Sequence, residues 1–221
     1  MRIGLFGGTF NPIHYGHLNC VAETAEAFDL DQVQLIPAAV PPHKAPGEII
    51  AAHHRLAMVR LAIRDRPHLV VSDLELTREG PSYTVDTIGH YRDRAGDAAH
   101  HFLIIGLDSL LEIHTWKSFH RIFTLIPLIV MNRPDTLNPN QGDPLAAIQR
   151  YLTSRIDPGY GTPARTYTFE HPRLNPVFYI PVAPQPISAT AIRRHIRRGL
   201  SLKGLVPPAV DDYIEQQGLY R

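Results

Sequence analysis

Five short apolar runs recur through the first 132 residues: "RIGLF" (Arg2–Phe6), "VQLIPA" (Val33–Ala38), "LVVSD" (Leu69–Asp73), "FLIIG" (Phe102–Gly106) and "LIVMN" (Leu128–Asn132). Each is bounded by Gly, Pro or Asp and is too short for a helix. Apolar residues fill nearly every position, as expected of strands buried on both faces. Between the runs lie helical patterns. Leu18, Val21, Ala22, Ala25 and Phe28 form one stripe, and Leu56, Val59, Leu61, Ala62 and Ile63 form a broader apolar face. Tyr83–Arg94 reads as a third helix, and Leu107–Phe123 holds one or two more. Such alternation predicts an α/β fold, a doubly wound parallel sheet with helices on both faces. These folds bind ligands beyond the carboxyl ends of their strands. Chemistry is therefore expected in Gly7–His17, Pro37–Lys44, Asp73–Thr84 and Gly106–Trp116.

After Asn132 the pattern loosens. "NRPDTLNPNQGDP" is rich in turn residues and predicts a surface excursion, "AAIQRYL" a short helix, and "DPGYGTPART" a mobile loop. "TYTFE" and "VFYIPV" predict further strands, while "ISATAIRRHIRRG" and "PPAVDDYIEQQG" close the chain as a small helical C-terminal portion. The chain is expected to form one domain over residues 1–221 with an irregular excursion at 134–184. With 44% hydrophobic and 19% charged residues, 221 residues can bury a sizeable core. The net charge of +1 gives no global attraction to nucleic acid or to a membrane surface. One cysteine, Cys20, excludes an internal disulfide; it fits a reducing compartment and is expected to pack in the first helix. No apolar run is long enough to span a bilayer and the start lacks a signal-peptide layout, so a cytoplasmic location is expected. Self-association into a homo-oligomer stays open. Among 13 histidines, His53, His54, His90, His120 and His195 are scattered and expected on surfaces.

His14 and His17 are placed differently. In "GGTFNPIHYGH", Gly7 and Gly8 end the first strand, where glycine permits positive φ and close approach of a ligand to the backbone. The helix behind them offers N–H groups and a partial positive charge. His14 and His17 stand three residues apart, so both rings leave the same edge of its opening turn, with Gly16 sparing the space before them. Phosphate suits such a place. A metal is the rival ligand, although no Cys or carboxylate in the loop completes a set, and plain helix capping is the third reading. The loop is neither a Walker A motif nor a Gly-x-Gly-x-x-Gly fingerprint.

Four more stretches fall at predicted strand ends or helix starts. "PAAVPPHK" is stiffened by prolines and ends in Lys44, a cation on a rigid loop. In "LTREGPSYTVDT", Ser82 or Thr84 can cap the next helix, with Asp86 in its first turn. "IIGLDSLLEIHTWKSF" places Asp108, a possible partner for ribose hydroxyls, behind Gly106, and carries the sole tryptophan, Trp116, which can stack a flat ring or fill the core. "PISATAIRRHIRRG" places Ser188 and Thr190 at a helix start with Arg193 one turn in, a second phosphate grip, while Arg194, Arg197 and Arg198 read as a solvated face.

"GGTFNPIHYGH" resembles the His-x-Gly-His signature of the nucleotidyltransferase superfamily, and the stretches in this order resemble bacterial nicotinate-nucleotide adenylyltransferases. The resemblance covers Met1 to about Arg133 and Pro186–Arg221. It implies a Rossmann-like nucleotidyltransferase fold and adenylyl transfer from ATP to nicotinate mononucleotide in NAD biosynthesis, with Mg²⁺ accompanying ATP. It implies His14, His17, Lys44 and Arg193 as catalytic residues and Gly7, Gly8, Thr9, Phe10, Gly106, Asp108 and Ser188 as ATP-binding residues. Ser82, Tyr83, Thr84 and Trp116 would hold nicotinate mononucleotide, and no residue is assigned to a resident metal. One departure is Ala189, which stands where the family carries a serine and leaves the phosphate grip one hydroxyl short. Nicotinamide mononucleotide and phosphopantetheine are the alternative acceptors, and a non-catalytic nucleotide sensor is the alternative function.

Overall fold

The computed structural model describes residues 1–39, 49–78, 80–132, 143–161, 167–183 and 185–221. The five apolar runs become parallel strands β1 (Arg2–Gly8), β2 (Gln32–Pro37), β3 (Leu69–Val71), β4 (His100–Gly106) and β5 (Leu128–Met131). Helices α1 (Tyr15–Ala27), α2 (Ala52–Ala62), α3 (Leu74–Thr77), α4 (Thr84–Ala95), α5 (Leu107–Glu112) and α6 (Phe119–Leu125) lie between them. Beyond β5 follow α7 (Pro144–Tyr151), β6 (Thr168–Phe169), β7 (Val177–Ile180), α8 (Ala189–Arg197) and α9 (Pro208–Gln216). The sheet runs β3-β2-β1-β4-β5-β7-β6. β1 pairs in parallel with both β2 and β4, so the strand order reverses between β1 and β4. Ligand crevices of doubly wound sheets form at this reversal.

Side chains alternate across each strand, and the two faces build two cores. Phe6, Leu35, Ile104 and Ile129 point to one side, where Leu18 and Val21 of α1, Met58 and Val59 of α2, Ile192 of α8 and Val210 of α9 meet them. Leu5, Ile36, Leu103, Ile105 and Val130 point to the other, against Val85 and Ile88 of α4, Leu110 of α5 and Phe123 of α6. Each fully buried side chain of this kind contributes about 1.5–3 kcal/mol. The C-terminal helices thus cover the same sheet face as α1 and α2.

Three expectations change. β6 runs antiparallel to β7, because the short link between them cannot make a parallel crossover. A short helix, α3, occupies part of the expected Asp73–Thr84 loop and buries Glu75, whose carboxylate accepts from the Thr87 hydroxyl at 2.6 Å. The described part of the excursion is anchored. Asp143 caps α7 by accepting from the Leu145 N–H at 3.0 Å, with Pro144 at the first position. Ile148, Leu152 and Phe169 are fully buried in the second core. Tyr160, in the loop expected to be mobile, is 2% exposed and donates its hydroxyl to Asn175 O at 2.8 Å. Residues 134–142, 162–166 and 184 of the excursion lie outside the described residues. Among the described residues no helix is long and apolar enough to cross a membrane.

Candidate active site

The link from β1 to α1 takes its left-handed turn at Phe10 (φ 48°) and not at the glycines, neither of which has positive φ. Gly8 is needed for closeness: a Cβ there would sit 2.9 Å from the Phe10 ring. A Cβ on Gly7 would meet nothing within 4 Å, so glycine at that position keeps space open in front of the strand end. His14 is the N-cap of α1, but its side chain makes no capping hydrogen bond. Its ring stacks on that of His17 with centroids 3.7 Å apart, and the His17 ring stands edge-on to Phe10 at 5.3 Å. A Cβ on Gly16 would lie 2.9 Å from His14 Nδ1 and 3.2 Å from Ile187 O. Glycine here lets the start of α1 lie against the chain that leads into α8. One of the expected donors is spent elsewhere, since the Tyr15 N–H bonds Leu205 O at 3.0 Å.

A cavity of about 450 Å³ opens at this junction. Gly7, Gly8, Thr9 and Phe10 form its strand-end wall, His14, Gly16 and His17 come from α1, and Ser188, Ala189, Thr190 and Arg193 come from the start of α8. Ser188 is the N-cap of α8 and its Oγ accepts from the Ala191 N–H at 3.2 Å. Arg193 donates through Nη1 to Asn11 O at 2.8 Å and through Nη2 to Thr190 Oγ1 at 3.3 Å. Two helix starts, two imidazoles and a guanidinium therefore converge, a setting for polyphosphate. Ala189 presents only a methyl to this wall. Among the described residues no group of three or more His, Cys, Asp or Glu side chains is placed to hold a metal ion, so the zinc reading of His14 and His17 lacks a third ligand there.

A second cavity, of about 160 Å³, lies on the other side of the glycines. Ser82, Thr84, Gly106 and Trp116 line it, with apolar walls from Leu5, Ile36, Leu103 and Ile105. The two cavities share Phe6, Gly7, Gly8 and Ser109. Trp116 is half-buried at the cavity wall, so it is neither a free indole nor a sealed core residue.

Two of the expected site residues line neither cavity. Tyr83, and not Ser82 or Thr84, is the N-cap of α4, without a side-chain cap bond. Its ring lies under the Lys117 ammonium at 4.5 Å and lines neither cavity. Backbone near Tyr83 is extended, so Ser82 and Thr84 turn to one side and the tyrosine to the other. Asp108 sits in the first turn of α5 and also lines neither cavity, whereas the next residue, Ser109, lines both. Gly106, expected at the adenosine, borders the smaller cavity. Lys44 lies outside the described residues.

The structure also adds residues that the sequence did not single out. Arg55 of α2 is fully buried and donates to Ile50 O (3.2 Å), Thr9 O (2.8 Å) and Ala39 O (3.2 Å). Burial pushes its pKa down, with nearby Tyr220 acting in the opposite sense. Asn11 Oδ1 accepts from the Tyr220 hydroxyl at 3.0 Å, and burial pushes that hydroxyl's pKa up. Ser82 Oγ accepts from the Ala39 N–H at 2.9 Å and so ties the end of β2 to the smaller cavity. Arg55 is one of two arginines in α2, and nothing local sets it, Asn11, Ser109 or Tyr220 apart.

Residues 5–195 match the cytidylyltransferase-like family. A protein from Desulfatibacillum aliphaticivorans named "probable nicotinate-nucleotide adenylyltransferase" is 40% identical over 100% of both chains. One of the same name from Geobacter metallireducens is also 40% identical, over 100% of this chain and 98% of its own. Among solved structures, the nicotinic acid mononucleotide adenylyltransferase of Plasmodium falciparum complexed with NaAD has the same fold. Its TM-score is 0.74 at 17% identity, covering 99% of this chain and 97% of that one. A cytidylyltransferase-like match across both cavities, joined to relatives of this identity along the full length, means that the chain belongs to the nicotinate-nucleotide adenylyltransferase family.

Proposed function

We infer that the protein transfers the adenylyl group of ATP to nicotinate mononucleotide, forming deamido-NAD and releasing pyrophosphate. One observation carries this reading: a cationic cavity and a smaller, partly apolar cavity meet at a common wall of Phe6, Gly7, Gly8 and Ser109. A triphosphate in the first and a pyridine ring in the second would bring their phosphates together at the glycines. The family membership supports the same pair of substrates.

A phosphate oxygen of the mononucleotide would form a bond to the α-phosphorus of ATP. The bond from that phosphorus to the oxygen of the β-phosphate breaks, and pyrophosphate leaves with the electron pair. The attacking oxygen is already ionised at neutral pH, so no protein nucleophile is required and catalysis rests on alignment and on stabilising charge. We assign the stabilisation to His14, His17 and Arg193, with Lys44 as a further cation. The backbone of Gly7, Gly8, Thr9 and Phe10 and the Ser188 cap are assigned to the triphosphate, with Gly106 and Asp108 on the adenosine side. Ser82, Thr84 and Trp116 are assigned to the pyridine, and Tyr83 acts from the rear of that segment. The larger cavity offers N–H, imidazole and guanidinium donors and no carboxylate cage, which suits Mg²⁺ carried on the phosphates. Bound there, the ion would neutralise phosphate charge. A cytoplasmic location is proposed, in keeping with the single cysteine.

The test is pyrophosphate release from ATP and Mg²⁺ with nicotinate mononucleotide, nicotinamide mononucleotide or phosphopantetheine. Release is expected to be fastest with nicotinate mononucleotide. Fastest release with another acceptor would overturn the acceptor assignment, and ATP binding without release for all three would favour a sensor.

A further inference from the structure

The Thr9–Asn11 loop holds a non-glycine residue, Phe10, at φ 48°, a conformation that costs about 1–3 kcal/mol and persists only where surrounding contacts impose it. Those contacts come from distant parts of the chain. On one side of Phe10, the Thr9 carbonyl accepts from Arg55 Nη1 at 2.8 Å; on the other, the Asn11 carbonyl accepts from Arg193 Nη1 at 2.8 Å. The Asn11 side-chain oxygen accepts from the Tyr220 hydroxyl at 3.0 Å and from the Ile50 N–H at 3.4 Å. The carbonyl that precedes the loop, Gly8 O, accepts from the Ala38 N–H at 2.9 Å. Three backbone acceptors and one side-chain acceptor are thus taken by protein donors. Carbonyl oxygens that would repel a polyphosphate are held by the protein. Arg193 borders the larger cavity, but Arg55 and Tyr220 border neither cavity. Arg55 also grips Ala39 O, so one guanidinium locks the ends of β1 and β2 together.

We propose that Arg55 and Tyr220 are positioning residues for the triphosphate: they fix the Thr9–Asn11 loop with its acceptors turned into the protein and so set the affinity and alignment of ATP. This rests on reading the larger cavity as the triphosphate site. Tyr220 acts indirectly and on one substrate, because the smaller cavity receives no side chain from the Thr9–Asn11 loop, whereas Arg55 also reaches that cavity through Ala39 and Ser82.

Tyr220→Phe keeps the ring and removes one hydroxyl. Leaving a buried acceptor short of a donor should raise KM for ATP on the order of 10-fold, while KM for the acceptor stays within about 2-fold. A purely structural role would lower the melting temperature or the fraction of active enzyme and leave KM for ATP unchanged. Arg55→Lys keeps the charge but loses the fork, and a larger rise in KM for ATP is expected; should that variant not fold, Tyr220→Phe still decides. Inorganic tripolyphosphate serves as an independent probe, read as the rise in melting temperature it causes. It should stabilise the wild type and stabilise Tyr220→Phe less. A wild type indifferent to tripolyphosphate would remove the reading of the cavity, and the brace with it. A wild type that responds, beside a variant that responds equally and keeps its KM for ATP, would overturn the brace alone.

Discussion

The two cavities that meet at Gly7 and Gly8 are built by different means. The larger one, about 450 Å³, is walled by a strand-end loop and two helix starts, with His14, His17 and Arg193 as its charged or polar side chains of note. Its shape is set by contacts over long sequence distances, such as Tyr220 to Asn11, 209 residues apart. The smaller one, about 160 Å³, is walled by strand side chains such as Leu5, Ile36 and Leu103, with Ser82, Thr84 and Trp116 at its rim. A site made of backbone, imidazole and guanidinium groups responds to phosphate charge and is indifferent to the rest of a ligand. A site made of side chains on rigid strands responds to shape. On the proposed function, reaction type belongs to the first cavity and acceptor identity to the second, so substitutions should separate the two.

The largest effect is expected at His17. Removing one group that stabilises developing charge should cost roughly 10²–10³ in turnover, by analogy with a lost oxyanion-hole donor. His17→Ala should lose this with every acceptor, while circular dichroism stays that of the wild type; wild-type turnover would take the imidazoles out of the mechanism. Trp116→Ala should act on one substrate only. Losing a stacked ring costs about 1–3 kcal/mol, so KM for the mononucleotide should rise about 10-fold or more with KM for ATP unmoved. An equal change in both constants would erase the division between the cavities. Ser188→Ala removes a helix cap at about 1 kcal/mol of stability. It should also weaken ATP binding a few-fold; a change in melting temperature alone would make Ser188 a cap and nothing more.

The smallest effect on activity is expected in the excursion. His171 Nδ1 accepts from the N–H groups of Arg173 and Leu174, so its Nε2–H donates to Asp157 at 2.9 Å. That hydrogen bond, followed by one from the Gly159 N–H, holds the Asp157 carboxyl below the usual carboxylate range. A carboxyl with a lowered native pKa binds its proton more weakly when folded than when unfolded. Its contribution is therefore full above about pH 4 and is lost as pH falls below that. Asp157→Asn should flatten the acid side of a stability–pH profile and leave turnover at neutral pH unchanged. A loss of turnover would show that the excursion belongs to the active site.

Much of this architecture can be read along the chain, for identifiable reasons. β1, β2, β4 and β5 are largely buried on both faces, so their sequences are mostly apolar and stand out; the helices between them carry clear stripes. α3 is four residues long and too short to show a period, and β6 has only two residues to declare its direction. At the site, His14 and His17 are legible because they are local to one turn. A contiguous motif does not say which of its side chains line a cavity, so the sequence could not set Tyr83 and Asp108, which line neither, apart from their neighbours. Extended backbone sends Ser82 and Thr84 one way and Tyr83 the other, and one helical step takes Asp108 off the wall that Ser109 joins. Arg55 and Tyr220 act only through tertiary contacts and leave no local trace.

The most direct measurement is a crystal structure of the protein with a non-hydrolysable ATP analogue and nicotinate mononucleotide. The α-phosphorus should lie at Gly7 and Gly8, with the β- and γ-phosphates against His14, His17 and Arg193 and the pyridine ring beside Trp116. A triphosphate bound away from the two imidazoles, with the pyridine outside the smaller cavity, would contradict the account.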